Sequence, residues 1–104
     1  MTPSSGNVFA DLGVKNPEEM LFKAQLALRI AEAMKARKLT QGAAADLLGI
    51  DQPKVSRLVR GQLYGFSSDQ LLRFLTALGQ DVEIVVRGPP GRPRAKGRLT
   101  VRAA

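Results

Sequence analysis

Residues Thr40–Gly61 read TQGAAADLLGIDQPKVSRLVRG. The Thr40 hydroxyl can accept from a backbone N–H left without a partner in a first helical turn. Gln41 to Leu48 is rich in Ala and Leu, which favour helix. Gly49 follows, the residue that most easily takes the left-handed conformation ending a helix. Ile50 then offers an apolar side chain. Asp51 is a second N-cap, Gln52 starts a second helix, and Pro53 sits in its first turn, where a missing N–H costs little. That helix runs to Arg60 and stops at Gly61. Ala44, Leu48, Ile50, Val55 and Leu58 can form one inward cluster, with Ala45 small where the helices cross. Two short helices joined by a tight turn containing Gly form the helix-turn-helix pattern.

The residues left outside are polar or basic. Gln52, Lys54 and Arg57 fall near one face of the second helix, with Ser56 and Arg60 beside them. Amide, ammonium and guanidinium groups read base edges or hold phosphate. The N-terminus of the helix adds partial positive charge.

The stretch resembles the helix-turn-helix of the phage-repressor-like family, also called XRE or Cro/C1-type. The likeness lies in Thr40-Gln41, Ala45, Gly49-Ile50, Gln52, Val55, Ser56-Arg57-Leu58 and Gly61. It implies that Gln41 holds a backbone phosphate and that Gln52, Lys54 and Arg57 face base edges. Pro53 departs from relatives with a second base-reading side chain there and is assigned no base contact. Thr40, Ser56 and Arg60, with the helix N-termini, complete the expected phosphate grip. The alternative is an ordinary helical hairpin with a solvated polar face; the spacing of Gln41, Ala45, Gly49 and Val55 favours the DNA-reading unit.

The chain has 104 residues, enough for one domain with a modest core. No run reaches the length of a membrane span, and the N-terminus lacks the apolar region of a secretory signal. There is no Cys and no His. Disulfides and thiolate chemistry are excluded, the commonest metal ligand and general acid/base are missing, and a reducing cytoplasm fits. No pair of carboxylates has a catalytic spacing. The expectation is a non-enzyme with no metal and no cofactor. Of the net charge of +7, residues 87–104 hold six basic residues and no acid, while residues 1–86 hold ten basic and nine acidic. The excess therefore belongs to the tail, and bulk charge says little about the domain.

Met1 to Gly6 is polar and expected to be loose. Val8, Phe9 and Leu12 can make a short turn packed on the domain or a partner site. Asn16 caps a long helix, with Pro17 in its first position and Glu19 completing an Asn-x-x-Glu capping box. Leu21, Ala24, Leu28, Ala31 and Met34 repeat at helical spacing, widened by Ala27 and Ile30. Met20, Leu26 or Phe22 can face either a partner or the domain; the spacing leaves both open. Tyr64 is placed either to stack on a sugar–phosphate backbone or to pack. Ser67 and Gln70 form a capping box, stapled by Phe66 and Leu71. The helix they open buries Leu71, Leu72, Phe74, Leu75 and Leu78 and ends at Gly79. Asp81–Arg87, DVEIVVR, reads as a strand with Val82, Ile84 and Val86 on one face. A lone strand needs a partner: its own copy across a two-fold axis is favoured over a hairpin with Leu99–Arg102 or a strand of another protein. Gly88–Gly97 is rich in Pro, Gly and charge and is expected to be disordered without a partner.

These readings give an all-α, five-helix phage-repressor-like helix-turn-helix domain with a C-terminal dimerising β-strand. The divisions are an N-terminal arm with a short turn (1–15), the DNA-binding domain (16–80), the dimerisation strand (81–87) and a basic flexible tail (88–104). The whole order is also similar to a narrower group, on Val8-Phe9-x-x-Leu12, Asn16-Pro17-Glu18-Glu19, Thr40-Gln41, Gln52-Pro53-Lys54-Val55-Ser56, Phe66-Ser67 and Leu78-Gly79-x-Asp81-Val82-x-Ile84. This group comprises HigA-like antitoxins and small XRE regulators encoded beside RelE/HigB-like ribonuclease toxins. The resemblance implies a cytoplasmic homodimer that binds a palindromic operator in double-stranded DNA, represses, and neutralises a toxin. A stand-alone regulator and a toxin-sequestering module with weak DNA binding are the alternatives. Deleting residues 88–104 is expected to lower affinity for any duplex, most strongly at low salt, while leaving sequence discrimination intact; anisotropy titrations on matched and scrambled duplexes across a salt series check this.

Overall fold

The computed structural model describes residues 17–88, 91 and 97–103. Four helices are formed among them: α1 (Pro17–Ala36), α2 (Gln41–Leu48), α3 (Gln52–Val59) and α4 (Ser68–Ala77). α1 packs against α4 and α3, and α2 packs against α3 and α4. One apolar cluster joins them, with Ile30, Ala44, Val55, Leu58 and Leu71 fully buried.

Local chemistry sets the starts of α2, α3 and α4 and the ends of all four helices. Thr40 Oγ1 accepts from Ala43 N at 3.0 Å, and Asp51 Oδ1 accepts from Lys54 N at 2.9 Å. Ser67 and Gln70 form the expected reciprocal box, with bonds of 3.1 and 3.4 Å. All four C-termini close the same way: an N–H one residue past a left-handed position reaches back five residues. The bonds are Leu39 N to Met34 O, Ile50 N to Ala45 O, Gln62 N to Arg57 O and Gln80 N to Leu75 O, at 2.9–3.1 Å. The left-handed residue is Gly at three of these ends and Lys38 (φ 55°) at the end of α1.

The inward cluster of α2 and α3 matches the sequence reading, with Leu48 and Ile50 at its edge. α1 follows its expected stripe in part. It buries Ala27, Ile30 and Met34 as expected, together with Leu26 and Ala33, whereas Leu21 and Leu28 are 58% and 55% exposed. At about 100° per residue its apolar side chains cover well over half of the circumference, so periodicity alone does not choose the inner side. Leu26 is core and Phe22 packs at its edge; Met20 stays exposed.

The five-helix fold with a C-terminal strand is corrected. The described residues form four helices and no strand, and the short turn expected at Val8, Phe9 and Leu12 lies outside them, as does Asn16. Residues 81–88 have no regular structure and are exposed throughout. The physical reason is that a strand needs a neighbour for its N–H and C=O groups, and none of the described residues supplies one. Leu99–Arg102, one candidate for a hairpin, goes elsewhere: Leu99 N–H donates to Glu18 Oε2 on α1 at 2.9 Å, and Val101 packs against the core.

Leu58→Ala should lower the free energy of unfolding by about 2–5 kcal/mol, through lost burial and a cavity left in the core. Leu28→Ala, on the exposed side of α1, should stay within roughly 0.5 kcal/mol of wild type. Urea denaturation followed by circular dichroism measures both.

Candidate nucleic-acid interface

The interface is built from the start of α2 and the outer side of α3. Val55 and Leu58 are fully buried and fix which side of α3 faces inward. With their direction set, the helical period of about 3.6 residues turns Pro53, Ser56, Arg57 and Arg60 outward. Gln52 lies on one flank of that face and Lys54 on the other. Gln52, Lys54 and Arg60 are exposed, and Ser56 and Arg57 are half-buried. An α-helix with its side chains is about 10–12 Å across, which matches the width of a DNA major groove.

Gln52 leans toward α2. A Cβ placed on Gly42 would sit 3.8 Å from Gln52 Oε1 and 3.9 Å from Thr40 Oγ1. The start of α2, with Thr40 and Gln41, is thus brought beside the start of α3. Thr40 and Asp51 each satisfy one backbone donor of a first turn; the remaining first-turn N–H groups and Gln41 can meet phosphate oxygens. The structure therefore gathers Thr40, Gln41 and Gln52 at one end of the face and Arg57 and Arg60 toward the other.

Arg57 departs from the simple reading of a free base-contacting side chain. Its Nη1 donates to the Tyr64 carbonyl at 2.9 Å, and its guanidinium carbon lies 5.4 Å from the centroid of the Phe66 ring. Phe66 in turn meets Phe74 edge-on, with centroids 6.2 Å apart. Sequence spacing places Arg57 on the outer face of α3, but nothing local signals a carbonyl seven residues onward. Tyr64 itself is 90% exposed, which removes the packing alternative. Val82, Ile84 and Val86, outside this face, are also exposed.

Two helices with this turn, anchored from within and presenting amide and basic groups outside, define a helix-turn-helix DNA-binding domain. The comparisons agree. The family described as "Helix-turn-helix domain" matches residues 8–87. A solved structure named as an XRE family transcriptional regulator is 47% identical, with a TM-score of 0.76, over 84% of this chain and 97% of that one. No curated protein gives a significant match. The chain belongs to the XRE family of helix-turn-helix transcriptional regulators. No helix among the described residues is long and apolar enough to cross a membrane.

Gly49 sets the angle between α2 and α3 at φ 72°, and an added Cβ there would meet nothing within 4 Å. Gly49→Ala should therefore cost only the left-handed backbone penalty, about 1–2 kcal/mol, without steric loss. Equilibrium unfolding of the variant tests this, and a larger loss would mean that the turn had rearranged.

Proposed function

We propose that this regulator is a sequence-specific repressor that binds a palindromic operator as a homodimer, with α3 of each copy in the major groove. The observation that carries this is the division of α3. Two residues are spent entirely on the core, the opposite side carries Ser56, Arg57 and Arg60, and Gln52 and Lys54 flank it. In this reading Gln52, Lys54 and Arg57 contact bases, each bidentate contact giving about 1–3 kcal/mol of discrimination. Thr40, Gln41, Ser56 and Arg60 hold phosphates. Homodimerisation is proposed through the exposed Val82, Ile84 and Val86, the last 90% accessible in the single chain. Covering such side chains favours association.

A second reading adds a toxin to this role. The chain would be the autoregulating antitoxin of a pair, neutralising a small basic ribonuclease in the cytoplasm. It is supported by the order of sequence motifs and by the apolar side chains of α1 that the described fold leaves exposed, Met20, Leu21 and Leu28. Co-purification with the product of an adjacent gene tests it; absence of such a gene leaves the stand-alone regulator.

Footprinting on the chain's own promoter should show two protected half-sites about ten base pairs apart. A single protected site would count against the dimer. Gln52→Ala should reduce discrimination between matched and altered half-sites. Arg60→Ala should weaken all duplexes alike and lower the slope of log affinity against log salt by about 1.

A further inference from the structure

The link between α3 and α4 is more constrained than a connecting loop needs to be. Phe66 N–H donates to Leu63 O at 3.0 Å, closing a four-residue turn over Leu63-Tyr64-Gly65-Phe66. Gly65, third in the turn, has φ 86°, the signature of type II. Both ends are anchored: Phe66 is buried and Leu63 packs at the edge of the core. In a type II turn the central peptide is flipped, so the carbonyl of the second residue points away from the turn. Arg57 captures that carbonyl from α3 while its guanidinium covers Phe66. The side chain left at the tip is Tyr64, 90% exposed.

We infer that Tyr64 is a further DNA-contacting residue, presented to the sugar–phosphate backbone beside the major groove, and that Arg57 is the positioning residue that sets it there. The Arg57 bond ties the turn, which follows the C-terminal end of α3, to a side chain on the outer side of that helix. There the phenol hydroxyl can donate to a phosphate oxygen and the ring can cover a deoxyribose. Fixing the turn backbone at Tyr64 before binding reduces part of the ordering cost of the contact. Only one of the five Arg57 donors is used on Tyr64, so the remaining guanidinium edge stays available to a base. The inference rests on the DNA-reading role proposed above and adds to it. Because the contact is to backbone, it contributes affinity without sequence information. Because Tyr64 carries no charge, it leaves counterion release unchanged.

The test uses the full chain, its promoter operator and a scrambled duplex of equal length, in anisotropy titrations over a salt series. Tyr64→Phe should weaken both duplexes by roughly five- to tenfold, and Tyr64→Ala by more. The ratio between duplexes, the salt slope and the thermal midpoint should stay unchanged. Arg57→Lys keeps the charge but cannot both reach the carbonyl and cover Phe66 in the same fork geometry. Its loss on the scrambled duplex should largely disappear in a Tyr64→Ala background, the non-additivity of residues acting together. Arg73→Ala, exposed on α4, should bind as wild type does. If wild type selects its operator while both Tyr64 variants bind equally well, this inference is overturned and the DNA-reading role survives. If wild type does not select the operator, that role fails first. If Arg57→Lys and Tyr64→Ala lose affinity independently, Tyr64 keeps its contact and the positioning by Arg57 is overturned.

Discussion

The arrangement depends on the complete burial of Val55 and Leu58. They are the only apolar side chains of the eight-residue α3 to be fully buried, and both have no accessible surface. A helix this short has little stability of its own. Tertiary burial, at roughly 25 cal/mol for each Å² of apolar surface, keeps it folded and sets its rotation. Once Val55 and Leu58 point inward, Ser56, Arg57 and Arg60 must point out. The core of α1 and α4 is in this sense the support on which the outer face of α3 is aimed.

Caps and turns refine that aim. Thr40 and Asp51 start α2 and α3 at defined residues, and Gly49 bends the chain between them without steric conflict. The result brings Thr40, Gly42 and Gln52 within a few ångströms of one another, so two helix N-termini lie at one end of the face. Arg57 performs the corresponding service at the other end. Its hydrogen bond to Tyr64 and its position over Phe66 tie α3 to the start of α4. A side chain read from the sequence as facing base edges is thus also part of the local framework.

The helix-turn-helix, its caps and the α4 capping box were legible because each is written in neighbouring residues with distinct backbone preferences. The end of α1 was less so: Lys38 takes the left-handed conformation that Gly takes at the other three helix ends. The inner side of α1 is legible only in part, at Ala27, Ile30 and Met34. Leu21, Ala24, Leu28 and Ala31 have helical spacing, but so do Leu26, Ala27, Ile30 and Ala33, and only packing against α3 and α4 decides between them. Alternation in DVEIVVR suggested a strand, yet alternation describes side chains and supplies no hydrogen-bonding neighbour.

By itself, then, the sequence determined the local events: where α2, α3 and α4 begin and end, which side of α3 is apolar, and the family pattern spanning Thr40 to Gly61. These follow from dihedral preferences and from polar groups a few residues apart. Only the tertiary structure decided which face of α1 is buried, that Leu99 and Val101 return to α1 and the core, that residues 81–88 stay without a strand in the single chain, and that Arg57 reaches Tyr64 and Phe66. Those outcomes turn on contacts between segments distant along the chain or across a turn, whose energies depend on where the rest of the core has placed them.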